Sequence, residues 1–384
     1  MKVIFLIKSF AMKAGVERLM SDKMNYMAEY GYEITLVTYE QGEHTIPFPL
    51  HPSIRHIDLG TRFFTLKKYS LPRRYIEIFY MQKKFKERLQ KVVDEIKPDI
   101  IHTTTYSINL IGKILKLHTS AKRTIESQVS YYSILKENDF KSKWIRYIAH
   151  LYDHYTFSKL KKFDAFFALT QGDAEQWKKI TNSVHIIPNP LTHYPEQIKE
   201  HMTSYHRIAC AGRLNYQKGF DLLIRAFAQI AAQCPDWNID IFGSGDEEDS
   251  LRSMITINNL KDRIFIHPAT DNLYDEFQNS DFFVFSSRFE GWGLVLVEAM
   301  SCGIPCISFR CKYGPEDIIT DHNDGLLVSD GNVKELGEKI LWMINHPDDC
   351  LQYGKEARKT ALKFKKDVVI QRWIEIFESL ICEQ

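Results

Sequence analysis

The sequence predicts an α/β protein made of two doubly wound domains, and three observations carry that expectation. Its 384 residues are 44% hydrophobic and 13% aromatic, too long a chain for one ordinary core and about right for two. Short runs rich in Val, Ile and Phe alternate with longer amphipathic segments, the pattern of strand–helix–strand units in parallel sheets. The net charge of +1 is split: residues 1–188 hold 30 Lys plus Arg against 19 Asp plus Glu, net +11, and residues 189–384 hold 20 against 30, net −10.

In the first half, strands are expected at KVIFLIKS (2–9), YEITLVTY (32–39), IRHIDL (54–59), DIIHTTT (99–105), KRTIESQ (122–128), DAFFALT (164–170) and VHIIPN (184–189). In the second they are expected at HRIACAG (206–212), NIDIFGSG (238–245), RIFIHPA (263–269), DFFVFSS (281–287), PCISFRC (305–311) and GLLVSD (325–330). Each run ends in glycine, proline or small polar residues and is followed by a helical pattern, such as DLLIRAFAQIAAQ after Gly219. The polar, proline-containing stretch 189–206 predicts the boundary. The expected domains are 1–190 and 205–364, with 365–384 a C-terminal helix packing back on the first.

The N-terminal apolar run stops at Lys8 with no small-residue cleavage site after it, which reads as a strand rather than a signal peptide. No run approaches the roughly 18 apolar residues of a membrane span. The seven cysteines are odd in number, confined to the second half and without paired spacing, which suits reduced thiols in a cytoplasm. Cys302, Cys306 and Cys311 as metal ligands are the alternative to small core residues, and the core reading is preferred.

The stretch RFEGWGLVLVEAM (288–300) carries the chemistry. DFFVFSS before it is nearly continuously apolar, as a central parallel strand should be. Arg288 to Gly293 is then the turn at its carboxyl end, and LVLVEAMSCG a helix closed by Gly303. In open α/β sheets ligands bind at that end. Backbone N–H groups at the helix N-terminus favour an anion, while Glu290 in the turn and Glu298 in the second helical turn accept hydrogen bonds from sugar hydroxyls. AGRLNYQKGFDLL (211–223) places Arg213 and Lys218 after the domain's first strand, a planar fork and a mobile point charge suited to phosphates. Two solvated loop cations are the alternative.

AGRLNYQKGFDLLIRAF, FGSG, SSRFEGWGLVLVEAMSCGIPCISF, YGPEDII and DGLLV, in that order, resemble the nucleotide-binding half of the family 4 retaining glycosyltransferases. The resemblance is close over residues 206 to about 330 and loose in the first half. It implies the GT-B fold, two Rossmann-like domains facing across a cleft. It also implies transfer of a hexose or N-acetylhexosamine from a nucleotide diphosphate sugar to a saccharide acceptor, in surface polysaccharide or lipid-linked oligosaccharide synthesis. The donor is expected to be UDP-linked, with GDP-mannose as runner-up, and no cofactor or metal is expected. By the same resemblance Arg213 and Lys218 hold the donor diphosphate and Glu298 the ribose. Glu290 with the backbone of Gly291, Trp292, Gly293, Leu294 and Val295 holds the sugar and phosphate. His267 neighbours the base, and Gly15 matches a small-residue loop that lets the first domain close on the diphosphate. Relatives put a histidine beside the donor sugar after the fifth strand; here the position is Gln128, which cannot take up a proton. Glu126 nearby is a substitute or simply a polar strand-end residue, and His102 is read as structural. Retention needs no protein base, because the leaving diphosphate oxygen can accept the proton of the incoming hydroxyl. A glycosidase using the Glu290 and Glu298 pair, a nucleotide-sugar epimerase and a silent nucleotide-sugar-binding protein are the competing readings.

Residues 62–91 hold ten basic side chains against two acidic, interleaved with Phe63, Phe64, Tyr69, Tyr75, Phe79, Tyr80 and Phe85. The stretch reads either as an amphipathic helix with its aromatics in the core or as a patch for an anionic membrane surface, which would bring a lipid-linked acceptor to the first domain. Expected localisation is cytoplasmic, peripheral on the inner face of the plasma membrane. No nucleic-acid partner is expected.

Overall fold

The computed structural model describes residues 1–12, 15–137, 154–198 and 206–382. They form two compact units, Met1–Pro190 joined by the C-terminal segment from Lys366, and Leu191–Lys365.

The first unit is built on β1 (Lys2–Ile7), β2 (Glu33–Thr38), β3 (Arg55–Asp58), β4 (Ile100–Thr104), β5 (Lys122–Glu126), β6 (Ala165–Ala168) and β7 (Val184–Ile186), in the order β3-β2-β1-β4-β5-β6-β7. Every neighbouring pair is parallel. β1 shows why its sequence is continuously apolar. Val3 and Phe5 enter one core with Met20 and Met24 of helix α1 (Gly15–Glu29) and with Trp373 and Phe377 of the C-terminal helix Lys366–Cys382. Ile4 and Leu6 enter a second core, on the other face, with Phe85, Leu89 and Val93 of helix α2 (Leu71–Ile96). With both faces covered, no polar alternation is left to see.

The second unit carries β8 (Arg207–Ala211), β9 (Asn238–Phe242), β10 (Ile264–His267), β11 (Phe282–Phe285), β12 (Cys306–Phe309) and β13 (Gly325–Val328), all parallel, in the order β10-β9-β8-β11-β12-β13. Helix α3 (Phe220–Ile230) follows β8, and α4 (Leu294–Ser301) follows β11. Each of the thirteen runs expected to be a strand contains one. Both units are Rossmann-like, with flanking helices on a parallel sheet. Strand order reverses between β1 and β4 in the first and between β8 and β11 in the second, and such switch points open a crevice at the strands' carboxyl ends.

Residues 191–198 run along the second unit. The Leu191 amide donates to the Phe364 carbonyl (2.6 Å), and Arg358 donates to the Pro195 carbonyl (2.7 Å) while lying over the Tyr194 ring. Phe85 is fully buried and Phe63 packs against the same core, so those two aromatics of the 62–91 stretch are structural. Cys210, Cys234, Cys302, Cys306, Cys311 and Cys350 are buried free thiols. Burial pushes the Cys302 thiol up to about 12, which keeps it protonated.

Candidate functional site

The second unit's switch point is held together by the loops after β8 and β11. After β8 the chain makes a 3-10 turn, Tyr216–Lys218, capped by the Asn215 side chain, which accepts from the Lys218 amide (3.3 Å). Gly219 then takes a left-handed conformation (φ 63), and a Cβ there would lie 2.1 Å from the Ser286 carbonyl oxygen. Only glycine lets the loop lie this close to the end of β11. The Ser286 hydroxyl donates to the Lys218 carbonyl (2.9 Å), and the Arg288 amide donates to the Gln217 carbonyl (2.8 Å). The Arg288 guanidinium grips Asp221 at 2.8 and 2.7 Å and lies over the Tyr216 ring. Burial works against ionisation of Asp221, but that fork outweighs it and holds the carboxyl below its usual range.

Inside this clasp Lys218 Nζ donates to Glu290 Oε1 at 2.7 Å. Gln217 Nε2 donates to the Phe289 carbonyl (3.0 Å) and to Glu290 Oε2 (3.4 Å). The Glu290 main chain is pinned as well, its amide donating to the Lys312 carbonyl and its carbonyl accepting from Tyr313, both at 2.9 Å. Glu290 is only 7% exposed. Three expected site elements therefore meet: the ammonium of Lys218, the carboxylate of Glu290 and the turn Gly291–Val295. The sequence reading gave Lys218 to a phosphate and Glu290 to a sugar; in the structure each is already the other's partner.

α4 opens on Gly293 in a left-handed conformation (φ 104) with no side-chain cap. Its first-turn N–H groups, from Leu294 and Val295 on, are thus not answered by a capping side chain, the condition for favouring an anion. Glu298 sits half-buried one turn on. Trp292 is 4% exposed and packs edge to face on Phe364, so what it turns toward the loop is backbone. Arg213 is exposed and makes no ion pair among the described residues. His267 ends β10, two strands from β8. Its ring contacts Asp240 (Nε2 to Oδ1, 2.5 Å) and stacks on Phe242, and its carbonyl accepts from Gly243 (3.0 Å).

The first unit holds the other two expected residues. Gly15 is the first residue of α1, and a Cβ on it would meet nothing within 4 Å. Gln128 follows β5 and is 8% exposed. Its Nε2 donates to Glu126 Oε1 (2.5 Å), while its Oε1 is buried without a partner among the described residues. Glu126 also accepts from Lys23 of α1, and both side chains are about 95% buried. The Lys23 ammonium lies 3.7 Å from the centre of the Trp373 ring. Burial raises the Glu126 pKa, but the Lys23 ammonium outweighs it and holds the carboxyl down at about 2. Burial pulls Lys23 down against the attraction of Glu126. His102 donates to or accepts from Thr124 through Nδ1 (2.9 Å) and is surrounded by Phe5, Phe167, Trp373 and Phe377; its burial lowers its pKa and favours the neutral ring. Sequence reasoning gave no role to Lys23, Gln217 or Arg288. Nothing local marks them: Lys23 meets Glu126 across 103 positions and Gln217 meets Glu290 across 73.

A family model described as "Glycosyltransferase Family 4" matches residues 14–193, and one described as "Glycosyl transferases group 1" matches residues 196–360. An uncharacterized glycosyltransferase of Haemophilus influenzae is 24% identical over 97% of this chain and 98% of its own length. A poly(glycerol-phosphate) alpha-glucosyltransferase of Bacillus subtilis is 27% identical over 59% of this chain, an alignment that spans 34% of that relative. Among solved structures, an S. aureus TarM mutant in complex with fondaparinux, alpha-GlcNAc-glycerol and UDP superposes with a TM-score of 0.74, covering 98% of this chain and 99% of that one at 15% identity. At that identity the likeness is one of fold.

Proposed function

The chain belongs to the family 4-like glycosyltransferases of the GT-B fold, and from that membership we propose that it transfers a hexose or N-acetylhexosamine from a UDP-linked donor to a saccharide acceptor. In this reading transfer proceeds with retention and without a metal. The acceptor belongs to surface polysaccharide or lipid-linked oligosaccharide synthesis. The observation that carries the proposal is the clasp at the β8/β11 switch point, where Lys218, Glu290 and the N-terminus of α4 meet. A related fold crystallised with UDP supports the choice of base.

Arg213, Lys218 and the first-turn amides of α4 take the diphosphate, the leaving group whose charge grows as the glycosidic bond breaks. Glu290 loses its ammonium partner to the diphosphate and turns to donor sugar hydroxyls, and Glu298 takes the ribose. The base lies along the main chain near His267. The incoming hydroxyl gives its proton to the leaving diphosphate oxygen on the same face, so positioning does most of the work. Gln128 supports this division. Its amide is tied to Glu126, which leaves a buried carbonyl oxygen to accept a hydrogen bond from a sugar hydroxyl. Glu126, which Lys23 holds ionised with its pKa down at about 2, is too weak a base to take the proton of an incoming hydroxyl.

A thermal-shift panel of nucleotide sugars tests the donor. UDP-sugars should raise the melting temperature, and a response to GDP-mannose alone would overturn the choice of base. Donor turnover with no acceptor to give a new nucleotide sugar would point to an epimerase, and binding without turnover to a silent module.

The paired carboxylates should separate in kinetics. Glu298→Ala should weaken both free UDP and donor by about ten- to a hundredfold, the loss of a charge-assisted hydrogen bond. Glu290→Ala should mainly lower kcat. Equal, small effects from both would sink the assignment. Chelation with EDTA should leave the transfer rate unchanged, because the diphosphate's counter-charges belong to the chain; strict dependence on added manganese or magnesium would refute that.

A further inference from the structure

α2 is amphipathic in an unusual way along its length. Its later turns bury Phe85, Leu89, Val92 and Val93. Its first turns instead turn large apolar side chains outward: Tyr75 is 71% exposed, Ile76 57%, Phe79 60% and Tyr80 62%. At about 100° per residue these four share one face, while Ile78 and Met81 lean inward, half-buried. Phe64, 53% exposed in the 3-10 helix Phe63–Lys68, adds a fifth. Nothing among the described residues covers this stripe. An uncovered contiguous apolar patch of this kind marks an interaction surface.

The cations around it identify the partner. Lys113 lies over the Phe79 ring (5.7 Å), and Lys68 and Arg73 lie over Tyr69 (5.2 and 4.7 Å). Lys83 and Lys84, both exposed, follow Tyr80 by one turn. The two acidic residues of the stretch are engaged, Glu77 with Arg73 and Glu87 with Lys83, and the surplus of eight basic residues over 62–91 is not otherwise balanced within it. A protein partner would have to bring an acidic rim of its own to match these cations. A stripe of Tyr, Phe and Ile rimmed by Lys and Arg matches instead the headgroup level of an anionic bilayer, where aromatic rings settle and basic side chains meet lipid phosphates. No described helix is long and apolar enough to cross a membrane, so the contact is with the surface.

The geometry points to the first turns of α2, with Phe64, as a docking face for an anionic lipid surface. Tyr75, Ile76, Phe79 and Tyr80 enter the headgroup layer, and Lys68, Arg73, Lys83 and Lys84 lie against lipid phosphates. The inference stands apart from the transfer reaction, and its test needs no activity.

The full chain is sedimented with vesicles of phosphatidylcholine alone or with about a third phosphatidylglycerol. The wild type should pellet with the anionic vesicles at low salt, stay in solution with the neutral ones and be released at high salt. Reversing Lys68, Arg73, Lys83 and Lys84 to Glu should weaken the partition by about a hundredfold or more, since each cation near the surface contributes roughly fivefold. The triple change Tyr75→Ser, Phe79→Ser and Tyr80→Ser should also release the protein, and because all three rings are exposed its melting temperature should match the wild type's. The inference is overturned if the wild type ignores anionic vesicles at low salt, or if the triple serine variant pellets as the wild type does. It is equally overturned if analytical ultracentrifugation shows a dimer that the serine variant disperses while no vesicle binding occurs, because the stripe would then face a second copy.

Discussion

Replacing Lys218 with alanine should lower kcat by about 10²- to 10³-fold, the usual cost of removing one group aimed at charge that grows in the transition state, if Lys218 takes the diphosphate as proposed. The substitution does two things, and they can be separated. It removes the cation proposed for the diphosphate, and it leaves Glu290, 7% exposed, without its 2.7 Å ammonium partner. An unpaired buried carboxylate destabilises the fold. The double variant Lys218→Met, Glu290→Gln removes the second effect by removing the charge, so its melting temperature should recover most of what Lys218→Ala loses. Its kcat should stay low. Lys218→Arg, which keeps a cation but changes its reach and shape, should restore part of the rate. If the double variant regained activity together with stability, Lys218 would be a structural partner of Glu290 and nothing more.

The second large effect lies in the first unit. Glu126→Ala leaves the Lys23 ammonium, fully buried beneath the Trp373 ring, with no carboxylate, and breaking such a pair from one side costs about 3–5 kcal/mol. For a unit of this size that is a drop of roughly 10 °C in its melting temperature. Lys23→Met added to Glu126→Gln should return most of the loss, since an apolar replacement of both partners is often neutral. Acid titration gives an independent check. Glu126 has its pKa depressed from the usual 4.5 to about 2 in the folded state. Its contribution is therefore fully present above pH 4.5 and is lost as the pH falls from there toward 2. The wild type should lose more stability across the window than the Lys23→Met, Glu126→Gln variant. Parallel acid curves for the two proteins would show that Glu126 is not held ionised by this pair.

Both predictions rest on contacts between residues far apart in the chain, and that is where legibility in the sequence ends. The thirteen strands were readable because a parallel strand buried on both faces has to be apolar throughout, and each ends where the chain must turn. The loops bearing Arg213, Lys218 and Glu290, and the helix that carries Glu298 after them, were readable because glycines and charges cluster at strand ends. The partners of those charges were not. Glu126 is the polar last residue of β5, as one of its readings had it, but the partner that neutralises it, Lys23 of α1, lies 103 positions away and could not be read from its neighbours. Lys218 and Glu290 were assigned to separate parts of a ligand, and the structure brought them to each other. Phe79 and Phe85 belong to one helix and one composition, yet the first is 60% exposed and the second fully buried.

What the sequence by itself determined is what depends on neighbours along the chain: the period of the apolar residues, the turns that only Gly219 and similar glycines allow, and the order of strand and helix that makes each unit a doubly wound sheet. Tertiary structure alone decided which charges neutralise each other and which aromatic rings meet solvent. Both depend on distances between segments many tens of residues apart, and electrostatic attraction and desolvation act through space with no regard for position in the chain.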